Sequence, residues 1–471
     1  MLAALALACA GGPTVVNETG TLVLDLVNPT EADPWEGVDS VVIELLVDGK
    51  VVETARFDVE DEAELPGLEH FGTGRFTVAG VAGSSVVSFG RSAEILLAPG
   101  LDLTVPVTFL PVNQVLPVSD EMASARSDHG SMVLPDGRVL LVGGRSPASD
   151  DGYDELELYD PHLGAFVPTG SYLPAPMFGM QVQPGHRGEV FLVGGYSILG
   201  GNIRREKSFI AYDPISGLVD LETAMTAPRA GGCFSEFREN FGVFIGGTSE
   251  TLAIDYLRPD PDDGEWTWSD VVIGDLDQEA VTGCAALPTG ELFLQGLSLE
   301  STGLFDFSED AASSNPNIGD AFYPVTTGEL ELISGGLVVP LVDKVWVGAG
   351  KDKGGVALTS GRLFELESRS FVGGVDPSRP RVDGSWDAWI EDGWVVLGCG
   401  SPDGSLEKSQ TTLELLNLIS GDRYPYLEAD RSRPGCKMNV LHDGSILLTG
   451  GFVSGDEGLP SAAIAVPYNP G

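Results

Sequence analysis

An apolar run that ends in two glycines, Val139-Leu140-Leu141-Val142-Gly143-Gly144, recurs through most of this chain. Two strong copies and four weaker ones follow it, at 190–195, 243–247, 292–296, 345–350, 395–400 and 446–451. The last glycine of each copy stands at 144, 195, 247, 296, 350, 400 and 451, so the period is 49 to 54 residues. A period of this length indicates an array of seven equivalent supersecondary units.

The residues around each copy predict four short strands per unit. A tight turn precedes the apolar run, as in Pro135-Asp136-Gly137, and a third strand ends near an aromatic residue or an acid, as in Tyr159-Asp160-Pro161. With 62 Gly in 471 residues and no sustained helical period, the chain reads as all-β. Four short strands in about 50 residues is the pattern of a propeller blade.

This combination of hairpin turn, hydrophobic strand, Gly-Gly doublet and Tyr-Asp-Pro-like stretch resembles the kelch-repeat family, over about 360 residues. The resemblance implies a seven-bladed kelch-like β-propeller over residues 113–471. The seventh copy reaches residue 471 without a fourth strand, and we expect residues 114–117 to supply it and close the ring. The doublets are predicted to be structural, because only a residue without Cβ turns cheaply so close to its neighbours.

Residues 13–112 predict a small β-sandwich that precedes the propeller. Alternating apolar segments recur between turn signals at 21–27, 40–47, 51–57, 74–81, 85–89, 93–97 and 103–109. Asp48-Gly49 between two of them is a signal for a two-residue hairpin. Seven strands in about 100 residues resemble an immunoglobulin-like or fibronectin-like module, for which a spacer or adhesion role is the default.

The N-terminal segment 1–12 resembles an export signal with a lipobox. Its apolar run, residues 2–10, is too short to span a bilayer, and small residues surround Cys9, the predicted lipidation site. The first basic residue is Lys50, so the charged start of a usual signal is missing, and an apolar terminus with a chance Cys is the alternative. The expected location is the cell envelope or the extracellular space, with membrane attachment only through a lipid anchor.

The charge balance restricts the partners. Seventy acidic residues against 26 basic ones give a net charge of −44, so the chain repels phosphate backbones and nucleic acid is excluded. Such a surface suits a salty habitat, and the alternative is an acidic patch that gathers cations. The acidic loops at 260–265 and 150–155 could bind calcium, but solvated loop faces are the preferred interpretation.

Four cysteines fall at matching points of the kelch-like repeat. Alignment of the blades places Cys233, Cys284 and Cys436 at the start of the first strand of blades 3, 4 and 7, and Cys399 at the end of the second strand of blade 6. Because blades 3 and 4 touch, as do blades 6 and 7, the geometry allows disulfides between Cys233 and Cys284 and between Cys399 and Cys436. Buried free thiols are the alternative.

Arg126, Arg229 and Arg433 occupy the same position before the first strand of blades 1, 3 and 7. An arginine at a blade entrance favours a structural role, in which it ties neighbouring blades through carboxylates or backbone carbonyls. The alternative is a ring of cations at one end of the central channel of the propeller, where it would bind an anionic or sugar ligand. His129 lies nearest an axial face and is a weaker candidate for ligand binding.

The sequence lacks the residue patterns of the enzyme families with which it can be compared. Copper-radical oxidases that resemble galactose oxidase share the kelch propeller, but they need two His, two Tyr and a Tyr-linked Cys, partly from a domain after the propeller. Here His occurs only at 70, 129, 162, 186 and 442. No HExxH, GxSxG or EF-hand motif is present, and neither a metal nor a cofactor is expected.

The sequence therefore favours a non-enzymatic binding or scaffold protein of the cell envelope. It would recognise a protein or a carbohydrate through one axial face, where loops from blades 2, 3 and 5 differ in length. The alternative is a carbohydrate-active propeller enzyme, mutarotase-like or lyase-like, in which channel arginines and acids transfer protons. A titratable pair in a pocket with a polar floor would indicate the enzyme, whereas a flat or plugged mouth would indicate the binder.

Overall fold

The structure, a computed structural model, shows an all-β, propeller-like chain. It describes residues 14–16 and 21–468 except 60–71, 99–101, 147–148, 150, 186–187, 222–223, 238–240, 248–252, 260–265, 273–280, 288–290, 297–300, 307–321, 326–335, 353, 390–392, 404–411, 425–426, 429–432, 434 and 452–460. Cys9 and the acidic loop 260–265 therefore lie outside the described residues. Within the described residues, no helix is long and apolar enough to cross a membrane.

Two sheets form the N-terminal module. Its strands are β1 (Thr14–Val16), β2 (Thr21–Val27), β3 (Ser40–Val47), β4 (Lys50–Asp58), β5 (Gly72–Ala82), β6 (Ser85–Arg91), β7 (Ile95–Leu97), β8 (Leu103–Thr108) and β9 (Leu110–Pro111). One sheet has the order β1-β2-β8 with β2 and β8 parallel, and the other has the order β4-β3-β5-β6-β9 with β7 beside β5. Alternate side chains of both sheets, Leu24 and Val105 on one and Ile43 and Val78 on the other, share one buried core.

Seven four-stranded antiparallel sheets follow, and we number them in chain order. Sheet 1 consists of β11 (Gly130–Val133), β12 (Val139–Val142), β13 (Glu155–Asp160) and β14 (Ala165–Tyr172). Sheet 2 consists of β16 (Gln181–Pro184), β17 (Val190–Val193), β20 (Phe209–Tyr212) and β21 (Val219–Leu221). Sheet 3 consists of β22 (Cys233–Phe237), β23 (Phe241–Ile245), β24 (Ala253–Pro259) and β25 (Trp266–Val272). Strands β15 (Met177–Phe178), β18 (Tyr196–Leu199) and β19 (Asn202–Arg205) form a small extra sheet in the second repeat.

Sheets 4 to 7 repeat the same order. Sheet 4 consists of β26 (Val281–Ala286), β27 (Glu291–Gly296), β28 (Gly303–Asp306) and β29 (Phe322–Pro324), and sheet 5 of β30 (Leu337–Pro340), β31 (Lys344–Gly348), β32 (Gly361–Glu365) and β33 (Ser370–Val372). Sheet 6 consists of β34 (Val382–Trp389), β35 (Trp394–Ser401), β36 (Thr412–Asn417) and β37 (Leu427–Glu428). Sheet 7 consists of β38 (Lys437–Val440), β39 (Ile446–Thr449) and β40 (Ala462–Ala465), and β10 (Val115–Pro117) completes it. Val115 pairs with Ala465 and Pro117 with Ala463, so residues before the first repeat complete the last sheet, as the sequence predicts.

Each sheet packs against the next one, which explains the apolar runs. The second strand of a sheet is buried on both faces, as in Val139–Val142 and Ile446–Thr449. Each hydrophobic cluster of this region joins two consecutive sheets, and one cluster joins sheet 7 to sheet 1 through Leu447, Ile464 and Leu141. A strand between two neighbours has no polar face, and its sequence is therefore a continuous hydrophobic segment.

The glycine doublets stand where one sheet meets the next. Gly144 N–H donates to the carbonyl of Met177 at 2.8 Å, and Gly195 N–H donates to that of Arg229 at 2.8 Å. The preceding glycines, Gly143 and Gly194, have φ of +56° and +63°, and a Cβ on either would collide with the same carbonyl of the next sheet. The doublets therefore form junctions between sheets, where the positive φ favours glycine and, at Gly143 and Gly194, the adjacent carbonyl leaves no space for a Cβ.

The N-terminal module rests against sheets 1 and 7. Ser119 N–H donates to the carbonyl of Pro29 at 2.7 Å, and Arg91 Nε donates to the carbonyl of Asp443 at 2.6 Å. The ring of Phe89 lies 4.9 Å from that of Tyr468, centre to centre. The module thus covers the place where β10 joins the last sheet.

Candidate ligand-binding site

Four buried arginines occupy one repeated position. Arg126, Arg229 and Arg433 precede the first strands of sheets 1, 3 and 7, and Arg381 holds the same position in sheet 6. Their exposures range from 0 to 3%, so no face of the protein presents them to solvent. Each guanidinium donates to a backbone carbonyl at the end of the second strand or the start of the third strand of its own sheet. The acceptors are Gly143 for Arg126, Gly246 for Arg229, Cys399 for Arg381 and Ser461 for Arg433.

Carboxylates on the third strands complete three of these positions. Arg126 reaches Glu157 at 3.3 Å, and Arg229 forms a fully buried ion pair with Asp255. The same carboxylates accept backbone N–H groups three residues before the arginine, Ala123 for Glu157 at 2.9 Å and Thr226 for Asp255 at 2.8 Å. In sheet 6, Glu414 likewise accepts the N–H of Ser378 at 2.7 Å. Arginine and acid together fix the segment that enters sheets 1 and 3, and Glu414 holds the segment that enters sheet 6.

The same arginines take part in the junctions through their own carbonyls. Arg126 O accepts Gly451 N–H from sheet 7 at 2.9 Å, and Arg381 O accepts Gly350 N–H from sheet 5 at 2.7 Å. Their side chains and main chains are therefore engaged in structural contacts, which supports the structural interpretation of the sequence pattern. The sequence pattern does not reveal Arg381, because this residue precedes the last glycine of its copy by 19 residues and the other three arginines precede theirs by 18.

His129 lies just before the first strand of sheet 1 and is buried, with 1% exposed. Its Nε2 is 2.8 Å from Thr449 Oγ1 of sheet 7, and its Nδ1 has no hydrogen-bond partner among the described residues. Burial, and then the charges of Arg126 and Lys437, hold the pKa of His129 well below its usual value. The imidazole is thus neutral and links two sheets, away from any described cavity.

Two disulfides join neighbouring sheets at the predicted pairings. Cys233 bonds to Cys284 across sheets 3 and 4, with Cα atoms 5.8 Å apart, and Cys399 bonds to Cys436 across sheets 6 and 7, at 5.6 Å. Cys399 has φ of +54° and stands where other copies carry the first glycine of the doublet. Both disulfides lie near the junctions at which the glycine doublets hydrogen-bond to the neighbouring sheet.

A cavity of about 510 Å³ lies between the first strands of sheets 2 to 6. Its polar side chains are Gln181 and Gln183, and Phe234 and Trp386 are its aromatic residues. The described residues of the lining are Gln181, Gln183, Gly232, Cys233, Phe234, Gly283, Cys284, Ala285, Ala286, Gly336, Val338, Pro340 and Trp386. None of the four arginines, nor His129, borders this cavity, and its described lining contains no ionisable side chain.

The glutamines give the cavity hydrogen-bonding capacity. Gln181 Nε2 donates to the carbonyl of Gly232 at 3.1 Å, which orients its amide. Gln183, two residues later on β16, is half-buried, and its amide is able to donate and to accept. Trp386 on β34 is also half-buried. An open cavity with these groups, whose described lining is uncharged, is suited to binding a neutral polar ligand.

Among the described residues, no three His, Cys, Asp or Glu side chains are grouped so that they could hold a metal ion. His162 and His442 are exposed and belong to surface turns. Of the acidic loop 150–155, Glu155 lies 3.6 Å from Arg126, and Asp151 accepts the hydroxyl of Ser149 at 2.8 Å. These acids are engaged with protein groups in the part of the chain that the structure describes.

No protein-family model matches the chain, and no curated protein sequence matches it. A solved structure of a fungal alcohol oxidase of the AA5 family, in complex with copper, matches with a TM-score of 0.56 and 15% sequence identity. The match covers 74% of this chain and 75% of that chain. At this identity the likeness shows an all-β, propeller-like fold alone. The described residues offer no copper site, because His129 is engaged between sheets and no three His, Cys, Asp or Glu side chains are grouped.

Proposed function

We propose that residues 113–471 form a closed seven-bladed propeller of the kelch type, and that the protein is a non-enzymatic recognition protein. The proposed domains are a leader at 1–12 with lipidation at Cys9, a β-sandwich at 13–112 and the propeller. The pairing of β10 with β40 and the cluster shared by sheets 7 and 1 support ring closure. A lipid-anchored position in the cell envelope follows from the lipobox-like segment.

The proposal of a binding function rests on the lining of the cavity between sheets 2 to 6. General acid–base chemistry requires titratable groups within hydrogen-bond reach of the substrate, and the described lining offers amides, the half-buried Trp386 and a disulfide instead. The arginines that could have served the enzyme alternative are buried at the sheet junctions. These observations favour binding over catalysis.

The chemistry of the lining favours a neutral saccharide as the ligand. An ionic ligand would lose its hydration without gaining a counter-charge from the described lining. Amides both donate to and accept from hydroxyl groups, and an aromatic face covers the apolar side of a sugar ring. The net charge of −44 further disfavours acidic polysaccharides.

Calorimetric titration of the full chain with maltotriose, cellotriose and a trigalacturonate tests this proposal. We expect saturable binding of a neutral trisaccharide, no binding of the uronate, and recovery of the sugar unchanged. Gln183→Ala and Trp386→Phe should each weaken binding by about tenfold, which corresponds to about 1.4 kcal/mol. Gln114→Ala, which changes an exposed amide outside the cavity, should leave binding unchanged. Conversion of the sugar to a product would instead support the carbohydrate-active enzyme, and failure of every sugar to bind would contradict the cavity as the site.

A further inference from the structure

The β18–β19 hairpin of the second repeat, with the residue pair that follows it, differs in charge from the rest of the molecule. Residues 196–207 contain three cations, Arg204, Arg205 and Lys207, and a single acid, Glu206. Glu206 is partly buried and accepts the hydroxyl of Ser197 at 2.5 Å. The cations are exposed, in a chain whose net charge is −44. The hairpin is therefore a local positive surface on an acidic protein.

The geometry of the hairpin determines which backbone groups face outward. Gly200 and Gly201, with φ of +58° and +76°, form a two-residue turn, and Leu199 pairs with Asn202 across it. Residues that flank such a turn are hydrogen-bonded to each other, so the backbone groups of the next residue, Ile203, point away from β18. β19 is the outer strand of its sheet in the order β15-β18-β19. An outer strand with this orientation can accept a further strand.

Apolar side chains accompany the charges on the hairpin. Leu199 is 47% exposed and Ile203 is 55% exposed, and both lie next to the turn. Cations on an outer strand often serve only to prevent pairing. A strand that is merely protected has no need of exposed apolar side chains at the same edge, whereas a strand that docks a partner uses them together with its backbone.

We propose that β19 is the docking edge for an extended acidic segment of a partner protein, which adds to the sheet as a further strand. Arg204 and Lys207 would attract the acidic side chains, and the backbone of Ile203 would supply the strand pairing. A second copy of this chain is disfavoured, because two β19 strands would bring cations together. An anionic membrane is disfavoured, because its extended surface would also face the acids that give the chain its net charge of −44, whereas a short acidic segment contacts the hairpin alone. This surface goes beyond the proposed function, because it shares no residue with the cavity.

Fluorescence anisotropy with a labelled alternating Glu-Val octapeptide and the full chain tests the proposal. We expect saturable binding that weakens with salt, whereas the corresponding Lys-Val peptide, which the net charge of −44 attracts, should lose no affinity in the hairpin variants. The double variant Arg204→Glu/Lys207→Glu should weaken binding by more than about tenfold, and Ile203→Pro, which removes a backbone donor, by a similar factor. Arg423→Glu, an exposed arginine in a turn of sheet 6, is the matched control and should leave the dissociation constant within about twofold.

Three results would overturn the proposal. In the first, neither the charge reversal nor Ile203→Pro changes peptide binding. In the second, Arg423→Glu weakens binding as much as the double variant does. In the third, the protein ignores the peptide but binds phosphatidylserine vesicles in a manner that the double variant abolishes, which would assign the hairpin to a membrane. Maltotriose titration of the same variants separates this surface from the cavity, since sugar binding should not change.

Discussion

Sheets 2 and 3 each contact the preceding sheet through the same backbone hydrogen bond, but different side chains pack beside it. In sheet 3, the buried pair Arg229 and Asp255 stands at the entry and on the third strand. In sheet 2, the corresponding positions carry Met177 and Ile210, both within one hydrophobic cluster. Yet the carbonyls of Met177 and Arg229 accept the same glycine N–H bond from the preceding sheet, each at 2.8 Å. The backbone bond is thus the common element, and the ion pair is one of two ways to fill the space beneath it.

The largest expected effect comes from breaking the pair on one side only. Arg229→Met should lower the free energy of unfolding by about 3–5 kcal/mol, because Asp255 would remain buried without its cation. Arg229→Met/Asp255→Ile, which copies sheet 2 into sheet 3, should recover most of that loss and leave about 1–2 kcal/mol for the bonds that Thr226 loses. Urea unfolding measures both variants. A double variant as unstable as the single one would contradict the equivalence of the two junctions.

Sheet 3 also differs from sheet 2 in a covalent link to the next sheet. Cys233 is bonded to Cys284, whereas Gln181, which occupies the matching position in sheet 2, only hydrogen-bonds to Gly232. Cys233→Ala/Cys284→Ala should cost about 2–5 kcal/mol, since the bond closes a loop with a sequence separation of 51 residues. The thermal midpoints of the variant and the wild type, both without reductant, give the measurement, because a reductant would also cleave the bond between Cys399 and Cys436. An unchanged midpoint would show that packing alone holds sheets 3 and 4 together.

The glycine doublets offer a smaller effect. Gly194→Ala should cost at least about 1–2 kcal/mol, because φ is +63° and the new Cβ meets the carbonyl of Arg229. Ala349, at the same point of sheet 5 with φ of +59°, already carries a Cβ. Ala349→Gly should therefore change stability by less than about 1 kcal/mol. Differential scanning calorimetry compares them, and equal losses in both variants would refute this account of the junction.

The pH dependence should be the mildest effect. The pKa of His129 is lowered by burial and by Arg126 and Lys437, so the folded protein resists protonation of this residue. The stabilising contribution of neutral His129 is present above the unfolded pKa of about 6.5 and is lost as the pH falls below it, by up to about 1.4 kcal/mol per pH unit. His129→Gln should flatten that slope in urea midpoints measured from pH 7 to 5. An unaltered slope would assign the acid sensitivity to other groups.

The strands could be predicted well from the sequence because local signals repeat. The segments expected at 21–27 and 40–47 match β2 and β3, and Asp48 and Gly49 both have the positive φ that their hairpin requires. The pairing of β10 with β40 is also predictable, since residues 114–117 match the segment that carries a fourth strand in other copies. Signals that recur at fixed spacing survive variation in individual residues.

The candidate site was less accessible to sequence reasoning. Arg126, Arg229 and Arg433 share a position, but the pattern alone could not tell a junction from a ring of cations, because that distinction depends on the direction of the side chains. The carboxylates Glu157, Asp255 and Glu414 lie at different distances along the chain from their arginines, since the intervening loops differ in length. Gln183 and Trp386 carry no motif, and only the fold brings them to one cavity.

Titration of the Arg229→Met/Asp255→Ile variant with maltotriose tests the central claim most directly, alongside Gln183→Ala. If the arginines hold the sheets together and the uncharged cavity binds the sugar, the double variant keeps the wild-type dissociation constant and Gln183→Ala weakens it by about tenfold. Loss of sugar binding in the folded double variant, with Gln183→Ala unaffected, would place the ligand on the arginines and contradict the account.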